Sequence, residues 1–256
     1  FQTGTVNDPV VNSPSWSICA GDLDGNGLND LLFASGSGAS FIWANEDGMT
    51  FEETHSTEYI FCQRSNMVDI NADGMLDAFV CHDVDPNVYF LNTGDQNLEY
   101  YQGGLGDTPD GGNYGSVWID YDNDCDMDMF IAKCRGGVTP ANINQMHRNN
   151  GDGTFTEVGE EIGLADNVQT WSSAWADYDN DGDTDLLVSE AIGKMKVFEN
   201  NGNNELSDST DRIFSRFSNP SGTATALGDY DNNGFIDAYI PECQLYGGTG
   251  GLYRNI

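Results

Sequence analysis

The sequence predicts an all-β chain of repeated four-stranded antiparallel blades, a β-propeller, and three observations carry that expectation. An acidic nine-residue loop recurs five times in 256 residues, beginning at Asp22, Asp69, Asp120, Asp177 and Asp229. The intervals are 47, 51, 57 and 52 residues, and a period near 50 marks a solenoid, propeller or array. Short apolar runs flank every loop, while 31 Gly and many Asn favour turns over helix interiors. The whole of 1–256 reads as one such domain.

The blade begins with a strand whose two faces differ. Two residues before each loop stand Ala20, Met67, Trp118, Trp175 and Leu227, with mostly small neighbours on either side such as Gly21, Ala176 and Gly228. That period-two alternation suits an innermost strand crowded near an axis.

Next comes the loop, at 22–30, 69–77, 120–128, 177–185 and 229–237. Side-chain oxygens at positions 1, 3, 5 and 9 can turn onto one point, and the carbonyl at position 7 adds another. In chain order the candidate ligands are Asp22, Asp24, Asn26, Leu28 and Asp30; Asp69, Asn71, Asp73, Met75 and Asp77; and Asp120, Asp122, Asp124, Asp126 and Asp128. They continue with Asp177, Asp179, Asp181, Asp183 and Asp185, then Asp229, Asp231, Asn233, Phe235 and Asp237. Hard oxygen donors at this spacing suit Ca²⁺, as in the first half of an EF-hand loop. The EF-hand itself is excluded, because position 12 holds Phe33, Val80, Ile131, Val188 and Ile240 instead of a bidentate Glu. Clustered carboxylates repel unless a cation compensates. About five Ca²⁺ would move the formal charge from −33 to −23. The third loop departs from the pattern, with Cys125 where the sharp bend calls for Gly.

A second strand follows each loop, as in Leu31-Leu32-Phe33 and Leu186-Leu187-Val188. A third strand ends in Asn45, Asn92, Asn149, Asn200 and Asn255, and a fourth begins after turns such as Asn150-Gly151. Four antiparallel strands per repeat make a propeller blade. The fifth repeat reaches Asn255-Ile256 without a fourth strand, and residues 1–6 resemble a fourth strand without a blade. The expectation is five blades closed by that N-terminal strand. The competing expectation is donation of residues 1–6 to a neighbour's last blade, building an extracellular fibre. A third is that these blades come from a longer propeller. Beginning at Phe1, the chain reads as a processed or excised piece.

Two strings, Trp175-Ala176-Asp177-Tyr178-Asp179-Asn180-Asp181-Gly182-Asp183-Thr184-Asp185 and His147-Arg148-Asn149-Asn150-Gly151-Asp152-Gly153-Thr154-Phe155, resemble FG-GAP/VCBS-type repeats. The resemblance extends over essentially the whole chain. It implies a secreted or cell-surface propeller stabilised by calcium, of the kind found in integrin α heads, fungal lectins and secreted bacterial proteins. It also implies recognition or adhesion, and more often seven or eight blades than five.

Charge and motifs narrow the function further. With 42 Asp plus Glu against 9 Lys plus Arg, nucleic acid is excluded as a partner, since phosphates would be repelled. No apolar run approaches the ~20 residues of a membrane span. Catalysis lacks a nucleophile elbow or zinc-protease motif, and the three histidines His55, His82 and His147 lie in different repeats, so no enzyme is expected. Connections opposite the acidic loops vary in length: 102–113, 133–145, 159–169, 208–222 and 241–250. Such loops carry binding in rigid scaffolds, so a protein or carbohydrate ligand, or self-association, is assigned to that face. Trp16, Tyr114 and Trp171 stand six residues before their loops and read as packed between blades, with sugar stacking as the alternative. Lys133, Arg135, Arg148 and Arg254 read as relief of local negative charge, with acceptance of an acidic ligand as the alternative. Of six cysteines, Cys62 and Cys81 flank one hairpin and are the first candidates for a disulfide, with buried thiols as the alternative. Asn219-Pro220-Ser221 is no glycosylation site, because Pro blocks the sequon.

Overall fold

Strand edges in this chain lie where the period-two pattern and the acidic turns place them, and the result is five sheets, antiparallel except for one parallel strand, Thr5–Val6, at the edge of the first. The computed structural model describes residues 5–6, 10–108, 110–136, 139–190, 194–203, 205–214, 224–241 and 250–255. Phe1, Cys243 and the Asn219 string lie outside them.

The first sheet contains β1 (Thr5–Val6), β2 (Ser17–Gly21), β3 (Asp30–Ala34), β4 (Ala39–Ala44) and β5 (Thr50–His55), in the order β1-β5-β4-β3-β2. The second holds β6 (Cys62–Val68), β7 (Asp77–His82), β8 (Val88–Asn92) and β9 (Leu98–Gln102). The third is β10 (Asn113–Ile119), β11 (Asp128–Lys133), β12 (Gln145–Asn149) and β13 (Phe155–Glu157). The fourth is β14 (Thr170–Ala176), β15 (Asp185–Glu190), β16 (Met195–Asn200) and β17 (Leu206–Asp208). A single turn of helix, α1 (Thr210–Phe214), follows within the 208–222 connection. The fifth sheet has three described strands, β18 (Ala226–Gly228), β19 (Asp237–Ile240) and β20 (Gly251–Tyr253). This is the multi-blade β-propeller architecture, with every acidic loop joining the first two strands of its sheet.

The chain forms two compact units, residues 1–116 with 149–155 and residues 117–148 with 156–256. In the first, alternate residues Leu32, Ala34, Phe41 and Trp43 meet Ala78, Val80, Val88 and Phe90 across the first two sheets. Phe41 and Phe90 pack edge-to-face with centroids 5.0 Å apart. Each large side chain buried here contributes about 2 kcal/mol. The small residues expected on inner strands have a steric reason at Gly21. A Cβ there would lie 2.9 Å from Leu76 Cδ1 and 3.0 Å from Met67 Sδ, so a side chain at this position would push those two side chains from the places they hold between β2 and β6. In the second unit Phe130, Met146, Leu186, Val188 and Phe198 form the main core, and Trp175 meets Phe130 edge-to-face at 5.6 Å. Leu187, Val197 and Ile240 make a smaller core on which Ile213 and Phe214 of α1 pack.

Three expectations are corrected. Thr5–Val6 does not extend the fifth sheet. It runs parallel to β5, with Thr5 opposite Thr50 and Val6 opposite Phe51. The following chain is tethered beside the same sheet, where Val11 N–H donates to Glu53 and Asn12 N–H donates to Ser40 Oγ. β1 thereby covers the edge of β5, which pairs with no other strand on that side among the described residues. Second, the residue equivalent to Asn92 in the first sheet is Ala44, not Asn45: Leu31 pairs with Ile42 as Ala78 pairs with Phe90, and the equivalent residues lie two further on. Third, Cys62 is an unbridged thiol whose Sγ lies 3.5 Å from the Gly38 carbonyl. It stands opposite His82, so alternation turns the Cys81 side chain to the other face of the sheet.

Candidate metal centres

Each acidic loop is a closed circuit of side chain to backbone hydrogen bonds. At position 1, Oδ2 accepts the N–H of position 6: Asp22 from Gly27 at 2.8 Å, Asp69 from Gly74 at 2.8 Å, Asp120 from Cys125 at 3.0 Å, Asp177 from Gly182 at 3.0 Å and Asp229 from Gly234 at 2.8 Å. At position 5, Oδ1 accepts the N–H of position 7. The acceptors are Asn26, Asp73, Asp124, Asp181 and Asn233, and the donors Leu28, Met75, Asp126, Asp183 and Phe235 lie 2.8–3.0 Å away. In four loops the other position-1 oxygen, Oδ1 of Asp69, Asp120, Asp177 and Asp229, accepts the position-5 N–H at 3.0–3.1 Å, so the first half of the loop is tied to itself.

The bend requires left-handed backbone twice. Position 6 has φ of 87°, 88°, 74°, 98° and 90° at Gly27, Gly74, Cys125, Gly182 and Gly234. Cys125 therefore holds a conformation that costs an L-residue roughly 1–2 kcal/mol. Position 4 is also left-handed, at Gly25, Ala72, Asn123, Asn180 and Asn232. The sequence reading missed that second bend, although Gly or Asn occupies it in four of five loops and both tolerate this region.

Position 9 has two roles. Asp30, Asp77, Asp128, Asp185 and Asp237 are all buried. Oδ2 of each accepts the N–H of position 2, from Leu23, Ile70, Tyr121, Tyr178 and Tyr230 at 2.8–3.1 Å. Oδ1 accepts the N–H of a third-strand residue, Ala44, Asn92, Asn200 or Asn255, at 2.7–2.9 Å. The side chain of that asparagine in turn grips position 2 of the preceding loop. Asn92 Nδ2 donates to Leu23 O at 2.5 Å, Asn200 to Tyr121 O at 2.8 Å and Asn255 to Tyr178 O at 2.6 Å. The repeated Asn was visible in sequence, but its partner lies 69 to 79 residues away.

Carboxylate oxygens of positions 1, 3 and 9 lie within 4.8 Å of one another in four loops: Asp22, Asp24 and Asp30; Asp120, Asp122 and Asp128; Asp177, Asp179 and Asp185; Asp229, Asp231 and Asp237. Ligands on opposite sides of a Ca²⁺ are about 4.8 Å apart for bonds of about 2.4 Å, so the spacing fits that ion. The second loop does not assemble such a trio, because position 3 is Asn71, which bonds Asp73 through both N–H and O. The donor set has a further mark of a cation site. Asp22 Oδ1 and Asp122 Oδ1 are buried without a hydrogen-bond partner, an arrangement that a metal ligand explains. Burial, then neighbouring aspartates, raises Asp122 and Asp179 above the usual carboxylate range, and takes Asp185 to about 7. Burial likewise raises Asp30 and Asp77. A divalent ion would reverse these shifts.

Cations and aromatics are placed as follows. Arg254 forms an ion pair with Asp231, and the Arg148 charge favours ionised Asp122. Lys133 is fully buried, with its N–H donating to Asn144 Oδ1 at 3.0 Å. Trp171 is half-buried and donates to Cys134 Sγ at 3.0 Å, and Tyr114 is half-buried. Trp16 departs from the packed role expected of it and is 53% exposed. Its ring lies beside Phe61 at 6.1 Å and over Gly36, where a Cβ would sit 3.4 Å from the indole nitrogen. The tight turn after β3 lets the indole rest on backbone instead of entering the core. This corner lies at the hairpin end opposite the acidic loops.

Residues 69–131, 120–188 and 177–240 each match the FG-GAP-like repeat, together spanning more than half of the chain. The chain belongs to the FG-GAP repeat family. Among solved structures, this FG-GAP chain is similar to an Agrocybe aegerita lectin specific for non-reducing terminal N-acetylglucosamine, at 17% identity and TM-score 0.55. The match covers 87% of the present chain and 59% of the lectin, so the repeat array here spans about three fifths of that protein. A second similar structure is the V. cholerae biofilm matrix protein Bap1, at 16% identity and TM-score 0.48, covering 83% of this chain and 30% of that one. No curated protein matches the chain.

Proposed function

We propose that this FG-GAP chain is a secreted recognition or adhesion module whose acidic loops bind about five Ca²⁺ and hold its blades rigid. The calcium ligands are the side chains at positions 1, 3, 5 and 9 and the carbonyl at position 7 of each loop. The observation that carries the reading is the pair of hydrogen bonds at positions 1 and 5 common to all five loops, together with the gathering of three carboxylates in four of them, while Asp22 Oδ1 and Asp122 Oδ1 stay unpaired. When bound, calcium supplies charge neutralisation and cross-links each hairpin. The residues themselves aim oxygens and pin the loop to its sheet.

The ligand is a protein or a glycan taken up at the end opposite the metal loops, where Trp16 stands exposed against Phe61. The lectin neighbour supports a glycan. The role is binding, not catalysis: His82 and His147 are buried within strands, and burial lowers both below the usual histidine range. Against the fibre alternative stands the pairing of Thr5–Val6 with the chain's own β5.

The test is a glycan and protein-ligand screen on the calcium-loaded chain, alongside thermal melting with and without EGTA. EGTA should lower the melting temperature by more than 10 °C, and Trp16→Ala should weaken ligand binding at least tenfold with melting unchanged. Melting indifferent to EGTA would refute the calcium role. Ligand binding unaltered by Trp16→Ala would refute the placement of the binding face. Concentration-dependent filaments in sedimentation would favour strand donation.

A further inference from the structure

We propose that the third, fourth and fifth loops bind calcium as a linked set, with Asn123 and Asn180 as the positioning residues that carry the linkage. The proposal rests on the calcium reading above. Asn123 lies between the ligand positions Asp122 and Asp124 with φ 61°. Its Nδ2 donates to Gly182 O at 3.3 Å and to Asp183 Oδ1 at 2.9 Å, both in the fourth loop. Asn180 has the same place and φ in the fourth loop, and its Nδ2 donates to Gly234 O in the fifth at 3.0 Å.

The peptide units reached this way orient metal ligands. The Gly182–Asp183 peptide is held at its carbonyl by Asn123 and at its N–H by Asp181 Oδ1, 3.0 Å away. The Gly234–Phe235 peptide is held at its carbonyl by Asn180 and at its N–H by Asn233 Oδ1, 2.8 Å away. Asp181 and Asn233 are the position-5 ligands, and position 7 begins at these same peptides. Both position-4 asparagines reach their neighbours from left-handed backbone, the conformation of the closed loop. Closing one loop around its ion therefore aims a donor that orders the next.

A return path runs through the third strands. Asn200 joins Tyr121 O of the third loop to Asp185 of the fourth, and Asn255 joins Tyr178 O of the fourth to Asp237 of the fifth. Within the other compact unit, Gly25 and Ala72 occupy position 4, and neither side chain can donate. The first and second loops lack this bridge.

The experiment is calorimetric titration of the full chain with calcium in a double-mutant cycle. Asp124→Ala disables the third loop at an exposed ligand. In the wild-type background it should also weaken the fourth loop, and through it the fifth, by about tenfold, within the range usual for coupled sites. Asn123→Gly keeps the left-handed backbone accessible and removes only the amide, so adding Asp124→Ala to it should leave the remaining sites unchanged. Asn180→Gly should uncouple the fifth loop in the same way. Remaining sites unchanged by Asp124→Ala in wild type, or weakened equally with Asn123→Gly present, would overturn the linkage alone. No calcium heat in wild type would overturn the calcium reading along with it. Far-UV circular dichroism of each variant verifies that the sheets are intact.

Discussion

Asp185→Ala separates the proposed metal-ligand role of this carboxylate from its role as a backbone clamp. Were Asp185 only a ligand, its removal in EGTA would relieve repulsion with Asp179 and Asp181 and leave the chain as stable or more so. The structure gives it a second task. Its Oδ2 accepts Tyr178 N–H at 3.0 Å and its Oδ1 accepts Asn200 N–H at 2.9 Å, the latter fully buried. Alanine leaves both donors unpaired, each at about 1–3 kcal/mol, for a total of about 4 kcal/mol. At about 2–4 °C per kcal/mol in a domain of this size, the midpoint should fall by about 10 °C. Asp181→Ala is the control, because its Oδ1 accepts a single exposed N–H, from Asp183. The assay is thermal melting at pH 7.5 in EGTA and in saturating calcium. Asp185→Ala should be the more destabilised variant in both, while Asp181→Ala should lose stability mainly in calcium. An Asp185→Ala midpoint equal to or above wild type in EGTA would refute the clamp.

Other changes test the same account elsewhere. Cys125→Gly relieves left-handed strain at an exposed position and should stabilise the calcium-loaded chain by about 1 kcal/mol, a rise of a few degrees in melting; a fall would show that the third loop differs from the others. His147 is buried, and burial with the nearby Lys133 charge lowers it to about 4. Its folded value lies below the unfolded ~6.5, so stability is full above that value and drops by about 3 kcal/mol as pH falls from 6.5 toward 4. Denaturation followed across that window should have a shallower slope in His147→Phe, and an identical slope would exclude this histidine. Gly21→Val places side-chain atoms against Leu76 and Met67 and should destabilise by about 1–3 kcal/mol in urea titration. An unchanged midpoint would mean that the Leu76 and Met67 side chains yield to the added atoms without cost.

The blade and its acidic loop were legible because their determinants are local. The oxygen donors at positions 1, 3, 5, 7 and 9 sit within nine consecutive residues, and the alternation on either side needs no knowledge of a partner. The left-handed position 4 was equally local and was overlooked, although Asn123, Asn180 and Asn232 repeat there. Asn45 misled because an Asn adjacent to the right place looks equivalent until the pairing of Leu31 with Ile42 fixes the register at Ala44. Cys62 and Cys81 looked like a bridge on spacing, yet one step of strand alternation separates their faces. Trp16 looked like a packing residue because the hollow over Gly36 that receives it depends on a turn some 20 residues further on.

The order of amino acids alone settled the repeat, the all-β blade and the placement of oxygen donors in each loop, since turn geometry and donor spacing are specified over a few neighbouring residues. Folding decided which edge receives Thr5–Val6, which carbonyl each third-strand asparagine grips, and which loops are bridged to one another. Those outcomes depend on distant backbone groups competing for the same hydrogen bonds, and that competition is resolved only when the sheets are side by side.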